Sequence, residues 1–266
     1  MSSRLPRRAG DHPRTTPSNP WDARTYDRSS APQQEWATDV VARLEGIAPG
    51  ATVLDVGCGT GRVTETLAML VPRGRVLAID ASADMVALAA DRLGDRAHVW
   101  CQDVLDLDLD EPVDAIVSTA ALHWVTDHDR LWPRLAHALR PGGMLEVQCG
   151  GEGNIDGVRE VIEAVARDVA PDLLGWSPWT FAGPQETERR LRESGFTGIR
   201  CWLEERPTHP EDVDAFVRTS ILPAHLARLP EPRREQFAAA VVAGVRLPLD
   251  YVRLNVSAVR DSSAAG

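Results

Sequence analysis

The chain has 266 residues, a formal net charge of −10 and a hydrophobic fraction of 43%, enough for one sizeable α/β core and without the basic surplus that grips a nucleic-acid backbone. All 29 basic residues are arginine, which excludes a P-loop NTPase and a pyridoxal enzyme, because both need a lysine. No apolar run approaches the roughly 20 residues that span a bilayer, and no apolar signal core opens the chain, so the expectation is a cytoplasmic protein that binds neither membrane nor nucleic acid.

Residues 1–20 are rich in proline and arginine (Arg4, Pro6, Arg7, Arg8, Pro13, Pro17, Pro20) and have little to bury; a disordered tail is expected there. Trp21 and Tyr26 then lead into a helix predicted over about 31–45, with Trp36, Val40, Val41 and Leu44 on its apolar face. Ser30 and Gln33 have capping-box spacing, and Pro32 suits a first turn. A short β-prone run (Val53, Leu54, Val56) follows, and Gly57, Gly59 and Gly61 close it at alternate positions. Val63, Leu67 and Leu70 continue at helical spacing. Strand, glycine turn and helix is the geometry that brings backbone N–H groups and a helix N-terminus up to a ligand. The next strand, predicted over Arg75–Asp80, ends in an acid 19 residues after Gly61, placed to accept two ribose hydroxyls. A dinucleotide loop would have a third glycine where this chain has Arg62. With Asp55 two residues ahead of the loop, a pyrophosphate would be repelled, whereas a ligand carrying an ammonium would be welcomed.

The run Leu54-Asp55-Val56-Gly57-Cys58-Gly59-Thr60-Gly61 resembles motif I of the class I S-adenosylmethionine (SAM)-dependent methyltransferases. The resemblance implies a Rossmann-like, doubly wound α/β fold, with a mostly parallel seven-stranded sheet and a small helical cap. It implies SAM as methyl donor, leaving as S-adenosylhomocysteine (SAH), with Asp55, Gly57, Cys58, Gly59, Gly61 and Asp80 around it. Tyr26 followed by Gln33 is similar to the N-terminal segment of small carboxyl methyltransferases, where this helix closes over the cofactor. Gln33 therefore stands either as a helix cap or as a cofactor contact. Trp21 and Tyr26 match the trans-aconitate methyltransferase group, which has an arginine where Gln33 stands.

Beyond Asp80, Ser82 is placed to cap a helix whose buried face is Met85, Leu88, Ala89 and Leu93. The resemblance lays Ala81 and Met85 against the cofactor. The third strand, predicted over 97–101, precedes Asp103 and Val104, to which the resemblance gives the adenine. Asp103, Asp106, Asp108, Asp110 and Glu111 alternate with leucines and lack calcium-loop spacing; they read as a solvated edge, with no metal. The fourth strand, over 113–118, runs into Thr119, Ala120, His123 and Trp124. In a doubly wound sheet this loop faces the ligand. His123 is the candidate general base, or else a hydrogen-bonded wall residue. Asp127 or Asp129 caps the next helix, and Pro141-Gly142-Gly143 ends it before a fifth strand over 144–148.

Cap insertions are expected at about 151–183 and 208–247, the whole methyltransferase domain running over 21–266. Within them Trp176 and Trp179 either line an acceptor pocket or pack under a loop. Arg218, Arg228 and Arg253 are the candidate clamps for an anionic acceptor. Cys58, Cys101, Cys149 and Cys201 are too widely spaced for a metal site and read as reduced, buried thiols. The expected activity is methyl transfer to a small molecule, foremost to a carboxylate oxygen. Other O-, N- or C-nucleophiles compete with it, as does a SAM-binding cyclase or regulator that transfers nothing.

Overall fold

Strands buried without alternation take the middle of a sheet, because both of their faces must be covered. In the computed structural model, which describes residues 31–264, β1 (Thr52–Val56) and β4 (Val113–Thr119) are such strands. With β2 (Arg75–Asp80), β3 (His98–Cys101), β5 (Leu139–Gly150), β6 (Phe196–Glu205) and β7 (Val252–Arg260) they form one seven-stranded sheet. Its order is β3-β2-β1-β4-β5-β7-β6. The first five strands are parallel, and β7 runs antiparallel between β5 and β6. The order reverses between β1 and β4, which makes the crevice at their carboxyl ends the ligand site of this architecture.

Side-chain parity sends successive residues of each strand to opposite faces. Val53, Val76, Ala115 and Val117 meet α1 (Ala31–Ala42) and α2 (Arg62–Leu70). Leu54, Val56 and Ile116 pack with α4 (His128–Ala138) and with Leu191 of α6 (Pro184–Glu193). Helix α3 (Ala83–Leu93) covers Ala78 through Ala89 and Leu93. Ser82 caps it as expected, its Oγ accepting from the Met85 N–H at 3.1 Å; Leu88 is only half-buried. Asp127 caps α4 through the Arg130 N–H at 3.0 Å.

A further apolar cluster joins Trp36 of α1 to α5 (Asp156–Val169), to the helical stretch 213–228 and to Phe237, Ala238 and Val241 of α9 (Glu231–Gly244). That stretch consists of α7 (Val213–Phe216), a π-turn over Val217–Ile221, and α8 (Pro223–Arg228).

On the α1 side of β5 and β7 the usual apolar filling gives way to a buried polar ladder. Asn255 Oδ1 accepts from Gln148 Nε2 at 2.9 Å and from Arg43 Nη2 at 2.6 Å. Ser257 Oγ donates to Glu146 Oε1 at 2.6 Å. The ladder ties the turn after α1 to the sheet.

Three expectations change. Helix α4 ends at Ala138, and Pro141-Gly142-Gly143 lies inside β5, where its register against β4 shifts between Val113 and Ala115. Helix α1 ends at Ala42. All four cysteines are free thiols, and Cys101 is exposed where burial was expected. Trp21, Tyr26 and the 1–20 tail fall outside the described residues; Gln33 lies within α1, and its side chain is likewise outside them.

Candidate active site

The carboxyl ends of β1, β2, β3 and β4 enclose a cleft of about 460 Å³, a size that suits a small-molecule ligand. Gly57, Gly59, Asp80, Ala81, Met85, Asp103, Val104, Thr119, Ala120 and Trp124 line it, so most of the residues singled out in the sequence converge there.

The glycine loop is shaped by two contacts. At Gly57, with φ +73, an added Cβ would lie 2.2 Å from Ala121 Cβ, so only glycine lets the β1 and β4 loops touch. At Gly59, which lines the cleft, φ is +52 and an added Cβ would meet nothing within 4 Å, so the demand for glycine there comes from the backbone. The Asp80 carboxylate fixes this loop: Oδ2 accepts from the Gly59 N–H and Oδ1 from the Ser82 N–H, both at 2.9 Å. Burial raises the Asp80 pKa, and those two N–H bonds pull it back. Each oxygen keeps a second lone pair for a ribose hydroxyl. Asp103 has a structural duty too, its Oδ1 capping a short turn through the Leu105 N–H at 2.9 Å. Across the cleft Ala120 adopts φ +55, uncommon for a residue with a Cβ and a form of strain that collects at functional sites. Its N–H donates to the Gln148 carbonyl at 2.7 Å.

Asp55, Cys58 and Gly61 do not line the cleft. Strand parity turns Asp55 toward α2, where its Oδ2 accepts from Thr64 Oγ1 at 2.6 Å. The other oxygen is buried without a hydrogen-bond partner among the described residues. Burial pushes the Asp55 pKa up to about 7, against the Thr64 bond. The free lone pairs of Asp80 and the open cradle at Gly59 are what the sugar and tail of a nucleoside call for.

His123 is absent from the residues that line the cleft. It is buried, and its Nδ1 accepts from the Gly150 N–H at 3.2 Å. The single ring proton of the neutral imidazole therefore sits on Nε2, and the one lone pair, on Nδ1, is already engaged by the backbone. Burial first, then the charges of Arg253 and His128, hold its pKa well below the ordinary value. Trp176 and Trp179 are likewise absent from the cleft and border a separate cavity. Trp179 reaches the cleft only through Trp124, with ring centroids 5.7 Å apart.

The three candidate clamps separate. Arg218 pairs with Asp214 and Glu235, both at 2.9 Å, on an open surface. Arg228 lies 4.4 Å from the Trp176 ring centre. Arg253 is only 2% exposed. It sits opposite Gly150, the last residue of β5, with its guanidinium 4.8 Å from the Trp36 ring centre. The sequence reading missed Val56, Ile79, Ser82, Gln102, Leu105, Ala121, Leu122, Val125 and Thr126 as lining residues. Ser82 carried a usable signal in its position after Asp80; the small and apolar ones carried none.

A family of methyltransferase domains matches residues 53–143. The trans-aconitate 2-methyltransferase of Methylobacterium nodulans is 34% identical over 69% of this chain and 67% of its own length. A malonyl-[acyl-carrier protein] O-methyltransferase of Anoxybacillus flavithermus is 34% identical over 46% of this chain and 47% of its own. Among solved structures, phosphoethanolamine N-methyltransferase 2 of Haemonchus contortus in complex with SAM has a TM-score of 0.61 at 17% identity, over 90% of this chain and 56% of that one; it bears on the fold alone.

Proposed function

The chain belongs to the class I SAM-dependent methyltransferases, in the group of the trans-aconitate and malonyl-carrier-protein enzymes, and from that premise we propose that it methylates a carboxylate oxygen of a small organic acid. When bound, SAM supplies an electrophilic methyl on a sulfonium and leaves as SAH. Asp80 would hold the ribose hydroxyls, and the backbone at Gly59 would face the amino-acid tail. Asp103 and Val104 border the adenine.

The observation that carries the carboxylate reading is Arg253. A guanidinium buried to this degree at the carboxyl end of β5 gains most from a planar, bidentate carboxylate. Arg253 anchors the acceptor through a carboxyl group other than the one methylated, which makes the acceptor a di- or tricarboxylate. Its reacting carboxylate is already ionised at neutral pH, so no base is needed, in keeping with the occupied Nδ1 of His123. What remains for the protein is to align donor and acceptor and to exclude water. The helical layer built on α5 and 213–244 serves as the cap that does so, with Trp124 as part of the inner wall.

Transfer of labelled methyl from SAM to a panel of dicarboxylates, tricarboxylates, monocarboxylates and phenols tests the reading. Label is expected in the di- and tricarboxylates as a base-labile ester. Arg253→Leu is expected to raise the acceptor KM tenfold or more, the worth of a charged hydrogen-bonded contact, with SAM affinity within twofold of wild type. Label confined to phenols, or SAM binding with no label in any acid, would overturn it.

A further inference from the structure

Outside the cleft the described residues enclose a second concavity of about 610 Å³ between α5, the 175–179 loop and α8. Its inner end is aromatic. The imidazole of His225 meets two indoles, its ring centre 5.2 Å from that of Trp176 and 5.1 Å from that of Trp179. His225 is 1% exposed, and its Nδ1 has no hydrogen-bond partner among the described residues. A ring nitrogen buried this deeply without a partner is uncommon in a packed core and points to a group that arrives from outside. Burial lowers its pKa to about 4, so at neutral pH the imidazole is uncharged and offers one donor and one acceptor.

The rim carries both signs. Asp156, Glu160 and Glu163 stand against Arg159 and Arg167. Arg159 pairs with Asp156 at 2.5 Å, and Glu163 accepts from the Gly175 N–H at 3.0 Å. Arg228 already covers Trp176 as a cation. A ligand with a net charge of either sign therefore meets repulsion as well as attraction. Indole faces, one neutral imidazole and a rim of both signs, with the Arg228 cation already on Trp176, favour a flat, uncharged ring with a single hydrogen-bonding substituent.

We propose that this cavity is a second small-molecule site, distinct from the donor cleft, which takes an uncharged hydroxyaromatic ligand with its hydroxyl on His225. The site is one aromatic layer away from the donor: Trp179, on its wall, is 5.7 Å from Trp124 of the cleft and stacks on Phe181 at 5.5 Å. Phe181 in turn is 5.7 Å from His123. The site does not depend on the identity of the methyl acceptor.

Ligand-observed NMR on the full chain saturated with SAH tests it, with four probes. They are p-cresol, toluene as the same ring without the hydroxyl, p-toluate as an anion and benzyltrimethylammonium as a cation. The expected result is binding of p-cresol with SAH in place, about fivefold to tenfold tighter than toluene, the worth of one hydrogen bond, and tighter than either ion. His225→Phe is expected to erase the preference for p-cresol over toluene. Trp176→Ala, a change at a half-exposed residue, is expected to weaken both. SAH affinity, read on the same samples, should stay within twofold in each variant; its loss in wild type would strike the donor-site reading and not this one. Competition between p-cresol and SAH, tightest binding by either ion, or an unchanged preference in folded His225→Phe would overturn the proposal.

Discussion

At His123 the Gly150 N–H occupies Nδ1, and Gly150 is 27 positions away in the chain. Nothing near His123 in the sequence announces that bond, which is why a histidine after the fourth strand reads as a base until the fold is seen. The replacement that isolates the point is His123→Asn, whose side-chain oxygen takes over the acceptor role toward Gly150 while no basic nitrogen remains. Turnover is expected to fall less than tenfold, with the pH profile of kcat unchanged in shape. A loss of about a hundredfold or more, the usual worth of a general base, together with a lost acidic limb in that profile, would restore His123 as the base. Asp55 shows a similar effect of parity. The residue two places ahead of Gly57 was read as a cleft acid, yet the period of two turns it into the α2 face and onto Thr64.

At the scale of elements, the β1–α2 loop divides its two central glycines between different tasks. Gly57→Ala puts a methyl 2.2 Å from Ala121 Cβ at a positive φ, so it should force the β1 and β4 loops apart. Gly59→Ala has a similar backbone cost and no clash, and its methyl is added at a residue that lines the cleft. Melting and SAM calorimetry on the two variants are expected to diverge. Gly57→Ala should lose about 2 kcal/mol or more of stability, from strain and overlap together. Gly59→Ala should lose about 1 kcal/mol or less, with its larger loss in SAM affinity. Equal melting temperatures would mean that the loops do not touch as described.

The loop, its two flanking strands and the Asp80 terminus were legible because each depends on residues within a few positions of one another. The bulge at Pro141-Gly142-Gly143 was not: a proline-glycine pair ends a helix or bends a strand equally well, and pairing of Leu139 with Val113 decides which. The polar ladder of Gln148, Asn255 and Arg43 is invisible for the same reason, since its members belong to three distant segments.

For the molecule as a whole, buried ionisable groups of opposite type set the response of stability to pH. The Asp55 carboxyl titrates at about 7 in the fold against an ordinary 3.8, so between those values the folded state holds the extra proton. Its stabilising contribution is complete below about pH 3.8 and is lost as the pH rises through 7. His225, at about 4 against 6.5, behaves in the opposite sense, complete above about 6.5 and lost as the pH falls through 4. Asp55→Asn keeps the acceptor for Thr64 and removes the buried charge. It is expected to stabilise the cofactor-free protein at pH 8 by about 1–3 kcal/mol, after allowance for an unpaired amide N–H. That gain should fall steadily as the pH drops toward 4, where the carboxyl is protonated in the fold. A melting difference independent of pH would remove Asp55 from the account.

The sequence by itself determined the parallel β-α-β core, the nucleoside loop and the absence of lysine chemistry, because periodicity, glycine spacing and composition act over short range. Only the tertiary structure decided which of three arginines is buried at the carboxyl edge, that the Nδ1 of His123 accepts from Gly150, and that Trp176 and Trp179 border a second cavity. Burial and hydrogen-bond pairing are properties of distant segments brought together, and no local window of the chain contains both partners.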